Sequence, residues 1–366
     1  MNRTTAPSAA HERLSPPPPE GEGTANGAPR SSLLRTGALT LLGLAAVLVV
    51  AALSITMGAK SLGPGEAWGA LAQGPHVAKA TEAHSIVWDF RLPRTLLGII
   101  VGSSLAVAGA LVQGFTRNPL ADPGILGVNA GAALGVVLAI ALLHIGATSA
   151  LVWAAILGAG AASVVVVVVG SMGRGPSTPV RMTLAGIATA AFLSGIGAAI
   201  RLSNPSVFDR YRVWAAGSLV GRSSADAVSV LPFVAVGLVL ALACARGLNA
   251  IALGEEMASA LGARVRRTRG VSVIALTLLA GAATAVAGPI GFVGLMVPHA
   301  LRWLLGPDHR VIVPLSALGG GGLLLASDVV ARVLLGGTEV PVGVVTAFIG
   351  APLLIALARR RRVNAL

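Results

Sequence analysis

The sequence has few of the residues on which soluble and secreted proteins depend. Charged residues make up 11% of the chain, whereas about 25% is usual in soluble domains. The single cysteine, Cys244, excludes a disulfide within the chain. Lysine never follows glycine, so the phosphate-binding GxxxxGK[ST] loop is absent, and no HExxH or CxxC motif occurs. We therefore expect neither ATP binding by this chain nor an enzyme activity, metal site or other cofactor.

Apolar residues dominate instead. Hydrophobic residues make up 55% of the 366 residues, and a further 47 residues are glycine; together they exceed the roughly 45–50% that nearly the same group reaches in soluble domains. The apolar runs are long enough for membrane-spanning helices rather than strands. Basic residues are scattered among short loops, so the net charge of +13 is an orientation signal and not a sign of nucleic-acid binding. Membrane lipid is an expected partner, and nucleic acid is not. The expected fold class is an all-α polytopic membrane protein.

The chain divides into a short tail and one transmembrane domain. Residues 1–32 are rich in proline, including the run at 16–19, and predict a disordered cytoplasmic tail. Residues 33–366 hold about ten apolar runs of the length of a membrane span. These runs lie near residues 34–57, 95–115, 124–145, 148–170, 182–201, 228–248, 271–290, 292–306, 311–335 and 341–358.

The distribution of basic residues predicts the orientation in the membrane. With ten spans, the side that holds both termini collects 18 Lys and Arg residues, and the opposite side keeps nine. Because cytoplasmic loops carry the excess of Lys and Arg, both termini are expected in the cytoplasm. The protein is therefore expected in the bacterial cytoplasmic membrane.

Small residues recur at helical spacing in several of the runs. Gly127, Gly131 and Gly135 form one stripe, and Gly186, Ala190 and Ser194 begin another. Such stripes allow close packing of helices within a subunit, or they line a pore or a dimer interface. The four consecutive glycines at 319–322 disfavour a helix by about 1 kcal/mol each relative to alanine, and predict a broken or kinked helix.

Two sets of charges border the apolar runs. Arg91 and Arg94 flank Pro93 just before a span, and Asp328 and Arg332 are four residues apart, so that they share a helix face and can pair. The arginines either anchor a helix end at the lipid headgroups or receive carboxylates from a partner, for which the guanidinium geometry is suited.

The segment at about 248–270 is too short and too charged to span the membrane. Its apolar residues at 253, 257, 260 and 261 lie on one face of a short helix that Gly254 and Gly262 bracket. A small amphipathic helix of this kind either docks a soluble partner or lies at the headgroups.

Several long motifs follow one another in a characteristic order. They are RLPR at 91–94, QGFTRNPLADPGILG at 113–127, LAG at 184–186, ALGE at 252–255, GPIGFVGL at 288–295, PH at 298–299, DHR at 308–310, Asp328 with Arg332, and EVPVG at 339–343. Over residues 34–362, their order and spacing resemble the FecCD-type permeases of bacterial ABC importers, which handle iron–siderophore complexes, haem and cobalamin.

The resemblance implies a set of partners. It implies a homo- or heterodimer of permease subunits around a central pathway, two cytoplasmic ATPase subunits and an extracytoplasmic substrate-binding protein. The favoured cargo is a ferric siderophore, with haem or cobalamin as alternatives. The loop at 174–181 resembles a cytoplasmic gate, but Pro179 and Val180 stand where the cobalamin permease has small hydroxyl residues, which disfavours cobalamin.

The resemblance also assigns roles to residues. It implies that Arg91, Arg94 and Arg332 dock the binding protein, because arginines at the matching positions of similar permeases receive its glutamate side chains. The translocation pathway falls to Gly186, Ala190 and Ser194. The ATPase-coupling positions are Ala252, Leu253, Gly254, Glu255, Glu256, Leu261 and Gly262.

An ion-driven secondary transporter and a membrane-embedded enzyme are the competing hypotheses. The first needs ionisable groups in mid-membrane. The nearest candidates, Asp328 and Arg332, lie toward one end of a run. The second has no motif in its favour. The sequence therefore favours a permease subunit that moves without chemistry of its own.

Overall fold

A computed structural model describes residues 28–58, 60, 62–75, 77, 80–145, 148–172, 179–333 and 340–359 of the chain. These residues form helices and connecting loops, and none of them lies in a strand. The helices are α1 (Ala28–Thr56), α2 (Pro64–Ala72), α3 (Glu82–Ser85), a π-helix (Ile86–Arg91), α4 (Leu92–Thr116), a 3-10 helix (Pro123–Leu126), α5 (Val128–Leu143), α6 (Thr148–Ser171), α7 (Pro179–Ser203), α8 (Pro205–Ala215), α9 (Ser224–Ala252), α10 (Glu255–Ala260), α11 (Val265–Ala287), α12 (Val293–Leu305), α13 (His309–Val333) and α14 (Val342–Arg359).

The helices correspond to the predicted apolar runs. Within the described residues, seven helices are long and apolar enough to cross a membrane, and α5, α12 and α14 are shorter apolar helices. Together they account for the ten predicted runs and confirm the all-α polytopic fold class. The first helix begins at Ala28, inside the segment predicted as a tail, and the rest of that tail lies outside the described residues.

Helices α2, α3, the π-helix and α8 were not predicted. Helix α8 lies between the spans α7 and α9, where the sequence analysis expected only a loop. The Asn204 side chain caps it by accepting hydrogen bonds from the backbone N–H groups of Ser206 and Val207, and Pro205 occupies its first position. Its low apolar content concealed it from a search for spans.

Helices α4 and α13 pack at the centre of the bundle through glycine. A Cβ atom on Gly102 of α4 would lie 2.2 Å from the carbonyl oxygen of Gly320. The Ser103 hydroxyl donates a hydrogen bond of 2.7 Å to the carbonyl of Ala317. Helix α13 runs unbroken through the glycines at 319–322, so the predicted break is wrong. The close approach of α4 explains Gly320 and Gly321, because a Cβ atom at Gly320 would lie 2.2 Å from the carbonyl oxygen of Gly102 and one at Gly321 would lie 3.2 Å from that of Ile99.

The first predicted stripe of small residues packs α5 against α6. A Cβ atom on Gly131 would lie 2.3 Å from the carbonyl oxygen of Gly158, and one on Gly135 would lie 2.2 Å from that of Ala154. Of the two interpretations given to this stripe, tight packing within the subunit is therefore the one observed.

Candidate functional site

A buried carboxylate joins two of the predicted docking arginines. Asp328, near the end of α13, is 0% exposed. Its Oδ1 lies 2.9 Å from Nη2 of Arg94 in α4, and its Oδ2 lies 2.9 Å from Nη2 of Arg332 one turn further along α13. The predicted pairing of Asp328 with Arg332 is confirmed. Arg94 and Arg332 are themselves buried. Asp328, Arg94 and Arg332, together with Arg91, are called the Asp328 cluster below.

Backbone carbonyl groups at the end of α1 accept hydrogen bonds from Arg332 and from Arg91. Arg332 Nη1 donates to the carbonyls of Ser54 and Met57, its Nη2 also donates to the Ser54 hydroxyl, and its Nε reaches the Asp328 carbonyl. These bonds, with the ion pair, account for all five N–H donors of a guanidinium. Arg91 Nη1 donates to the carbonyls of Ile55 and Thr56 at 2.7 Å. Docking through Arg332 stays a prediction that requires exchange of these bonds.

A cavity opens beside the Asp328 cluster. Its volume is about 220 Å³ and it is called the arginine pocket below. Its lining includes Arg91, Arg94 and Arg332, together with the loop that precedes α9. That loop contributes Leu219 and Arg222, and the sequence assigned no role to Arg222.

The start of α9 holds Arg222 in place. The side chain of Ser223 accepts a hydrogen bond from the Asp226 N–H, and the Asp226 carboxylate accepts one from the Ser223 N–H, which is a reciprocal capping box. Burial lowers the pKa of Arg222 from its usual value, and the nearby charge of Asp226 opposes that shift. The S-x-x-D spacing at 223–226 is the sequence signal that could have identified the start of this helix.

A second polar cluster lies at the opposite end of α4. Gln113 donates from Nε2 to the carbonyls of Ala121 and Gly294, and its Oε1 accepts a hydrogen bond from Arg302 of α12. The stretch of α4 from Arg94 to Gln113 spans roughly 28 Å at about 1.5 Å per residue, which approaches the hydrocarbon thickness of about 30 Å. The two clusters therefore lie near opposite faces of the membrane.

The junction of α9 and α13 lies at this second end. Asn249 of α9 accepts hydrogen bonds from the N–H of His309 and donates to the Asp308 carboxylate. Burial raises the pKa of Asp308, but hydrogen bonds from Asn249 and the Arg310 N–H, with the charges of Arg310 and His309, bring it below its usual value. Asp308 is therefore ionised at neutral pH. Its hydrogen bond with Asn249 links the end of α9, which leads into α10, to the start of α13.

Helix α10 exposes an apolar face at the same end of the bundle. Met257 of α10 and Leu261 at its C-cap are 55% and 66% exposed, and their spacing of four places them on one side. Leu253, at the end of α9 just before the helix break at Gly254, is 64% exposed. Gly254 caps the helix with φ +103°, and Gly262 follows it with φ +78°. The predicted short helix with bracketing glycines is therefore observed, although α9 extends to Ala252 and α11 begins at Val265, inside the predicted bounds of 248–270.

The remaining residues predicted for ATPase coupling and for the pathway occupy two surfaces. Glu255 forms an ion pair with Arg269 of α11, and Glu256 is exposed. In α7, Gly186 is buried, Ala190 is half-buried and Ser194 is exposed, so this stripe passes from the core to a surface that the described chain does not cover. Among the described residues, no group of three or more His, Cys, Asp or Glu side chains is placed to hold a metal ion.

Known proteins resemble this chain over most of its length. Residues 46–360 match the FecCD transport family. The ferric enterobactin transport system permease protein FepD of Escherichia coli is 47% identical over 90% of this chain and 98% of its own length. The cobalamin import system permease protein BtuC of Halobacterium salinarum is 43% identical over 78% of this chain and 76% of its own length.

A solved structure has the same architecture. A metal-chelate type ABC transporter in an inward-facing conformation superposes with a TM-score of 0.74 at 26% identity, covering 88% of this chain and 98% of that one. The unbroken helical bundle and these matches lead to one conclusion. The chain belongs to the FecCD transport family and is a multi-pass permease of an ABC importer.

Proposed function

We propose that this permease carries a ferric siderophore across the cytoplasmic membrane, driven by ATP hydrolysis on two separate cytoplasmic ATPase subunits. A second permease subunit completes the pathway, and an extracytoplasmic binding protein delivers the cargo. The orientation with both termini in the cytoplasm, from the basic-residue count, places α10 on the ATPase side. The siderophore is favoured over haem and cobalamin because the FepD relative, which matches nearly its full length, transports ferric enterobactin.

The exposed apolar face of α10 is the observation that carries this proposal. Met257 and Leu261 on this face, with Leu253 exposed just before the helix, are large apolar side chains that only a partner surface can remove from water. Helix α10 connects α9 to α11 over a few residues, so a force on it acts on two spans at once. Movement of the ATPases then tilts these spans and opens the pathway to one side at a time.

Uptake into proteoliposomes tests the driving force and the cargo together. The permease with its ATPases and binding protein should accumulate radioactive ferric enterobactin only when ATP is supplied to the ATPase side, and haem or cobalamin should not compete. Accumulation on a proton or sodium gradient without nucleotide would refute the ATP-driven mechanism. Competition by haem or cobalamin would contradict the assignment of a ferric siderophore as the cargo but would not affect the ATP-driven mechanism.

Substitution on α10 tests the coupling surface. We expect Leu261→Asp to reduce ATP-dependent uptake roughly tenfold or more, since a buried interface anchor is worth about 2 kcal/mol or more. Leu261 is exposed in the subunit, so folding of the chain should not change. Gly254 is a poorer target, because its φ of +103° strains any other residue.

Ser259→Asp is the matched control. It adds the same charge to an exposed position of α10 away from the apolar face, and uptake should stay near the wild-type level. Equal uptake by both variants would show that α10 is not part of the coupling surface.

A further inference from the structure

An apolar groove runs between α6 and α11 on the surface of the bundle. Its volume is about 410 Å³, within the range of about 300–1,000 Å³ in which proteins hold small ligands. Its lining includes Gly160, Val164 and Val168 of α6 and Gly270, Ile274 and Thr277 of α11. Because both helices are long and apolar enough to cross a membrane, this groove, called the α6–α11 groove below, opens toward the hydrocarbon of the bilayer.

The shape and the lining of the α6–α11 groove suit a slender apolar occupant. A Cβ atom on Gly160 or on Gly270 would meet no atom within 4 Å, so the absent side chains leave room at both ends of the groove. The polar groups of its floor bond each other: the Thr277 hydroxyl donates to Ser163 Oγ at 2.9 Å, and the Ser163 hydroxyl donates to the Ala159 carbonyl at 2.9 Å. No polar partner is needed from the occupant, which is the environment that an acyl chain prefers.

Helices α6 and α11 run in opposite directions along the groove. A Cβ atom on Gly281 of α11 would lie 3.3 Å from the Cβ of Ala159 in α6, and Thr277 contacts Ser163 four residues further along α6. The residue number thus falls along α11 as it rises along α6. Helix α11 therefore begins beside the end of α6, on the side of the membrane where α10 lies.

Two arginines lie at that end of the groove. Arg266 and Arg267 precede Gly270 by four and three residues, and Arg267 precedes Ile274 by seven, so both arginines continue the helix face that lines the groove. Both are exposed, and neither belongs to an ion pair within the described part of the chain. An apolar groove thus ends at two positive charges without a carboxylate partner.

An anionic phospholipid matches both features. Its acyl chain is apolar, its phosphate is a preferred partner of guanidinium groups, and basic sites between spans bind anionic headgroups. A second copy of this chain matches less well. The interface of a two-fold dimer uses the same patch on both subunits, so the arginines of one copy would face those of the other, and such like-charge contacts are unfavourable.

We infer that the α6–α11 groove binds one acyl chain of an anionic phospholipid, whose phosphate is held by Arg266 and Arg267 in the leaflet on the side of α10. The lipid then contacts α11, the span that directly follows α10. This site is separate from the cargo pathway and from the Asp328 cluster, and it does not depend on which chelate the permease carries.

Photolabelling in nanodiscs tests the inference. The permease–ATPase complex is held in phosphatidylcholine nanodiscs that contain phosphatidylglycerol with a diazirine in one acyl chain, and the labelled residues are mapped by mass spectrometry. Labelling should saturate and should concentrate on the lining of the α6–α11 groove. Phosphatidylcholine with the same diazirine should label the groove roughly tenfold less at the same mole fraction, because it has no net negative charge for the arginines to attract.

Two double variants separate the headgroup from the acyl chain. Arg266→Gln with Arg267→Gln should raise the phosphatidylglycerol fraction at half-maximal labelling roughly tenfold. Gly160→Leu with Gly270→Leu fills the groove but keeps the arginines, and should reduce groove labelling roughly tenfold, since buried methylene groups contribute most of the binding of an acyl chain. Both glycines have free space around a Cβ, so the melting temperatures should match that of the wild type.

Arg210→Gln with Arg212→Gln is the matched control. It removes the same charge from two exposed positions of α8, outside the groove, and should change the half-maximal fraction by no more than about twofold, as exposed charges usually do. Equal labelling of the groove by the two lipids would overturn the inference. Phosphatidylglycerol labels spread evenly over the lipid-facing helices would overturn it as well, because the arginines would then attract lipid without a defined site.

Cross-linking tests the alternative occupant. Ile274 lies in the groove and is 55% exposed. If Ile274→Cys forms a disulfide between two copies of the chain in the complex, a second permease covers the groove and the inference is overturned. Neither measurement uses cargo or ATP hydrolysis, so a negative result leaves the proposed function unaffected.

Discussion

Replacing Asp328 with alanine is expected to destabilise the permease by about 3–5 kcal/mol, the range for breaking a buried ion pair from one side. The carboxylate is fully buried and bridges Arg94 and Arg332, which are buried as well. Its removal leaves two buried guanidinium groups without their shared counterion. The melting temperature of the detergent-solubilised protein should fall sharply, and the yield of monodisperse protein should fall with it.

Asp209 provides the matched control for this prediction. It forms an ion pair with Arg212 in α8, but both side chains are about two-thirds exposed, at 66% and 68%. Exposed pairs contribute about 0–1 kcal/mol, so Asp209→Ala should melt within a degree or two of the wild type, consistent with that small energy. Similar melting temperatures for Asp328→Ala and the wild type would contradict a stabilising role of the Asp328 cluster.

Gly109→Ala is expected to have the second large effect. A Cβ atom at this position of α4 would lie 1.8 Å from the carbonyl oxygen of Gly294 in α12. The oxygen belongs to the backbone of α12 and the Cβ position is fixed by the backbone of α4, so neither atom can move aside as the end of a flexible side chain can. Overpacking of a core costs about 1–3 kcal/mol, occasionally more, and here α4 and α12 must separate. We expect a lower melting temperature and a loss of ATP-dependent uptake.

The same substitution in an open part of α6 is the control. A Cβ atom on Gly160 would meet no atom within 4 Å, and alanine is favoured over glycine in a helix by about 1 kcal/mol. Gly160→Ala should therefore melt at the wild-type temperature or slightly above it. A Gly109→Ala variant that behaves like Gly160→Ala would disprove the close contact between α4 and the Gly294 backbone.

Local signals in the sequence located most of the fold. Apolar runs near the length of a membrane span identified the seven long apolar helices and the three shorter ones of the described residues, since lipid requires every backbone group to bond within its own helix. Glycine at 254 and 262 marked the ends of α10, because both residues adopt a positive φ that other residues avoid. Helix α8 has no apolar run of that length, so apolar length did not predict it. It is short and is marked mainly by its Asn204 cap.

The candidate sites divide in the same way. The pairing of Asp328 with Arg332 followed from their spacing of four on one helix. The junction with Arg94 did not follow, because Arg94 is 234 positions away in the chain. Nor could a residue count find Arg222 at the arginine pocket, since the loop that holds it is anchored by Ala287 and Gly343, two residues far away in sequence.

The sequence alone determined that this chain is a helical membrane protein with short loops, and its motifs determined the family. Both depend on short-range physics: hydrophobic length against the bilayer, helical periodicity and backbone capping. Only the tertiary structure decided that the glycines at 319–322 belong to an unbroken helix, and that Arg94 and Arg332 share one buried carboxylate. A backbone contact or a buried charge pair depends on which distant helix lies opposite, and that choice is made when the helices pack.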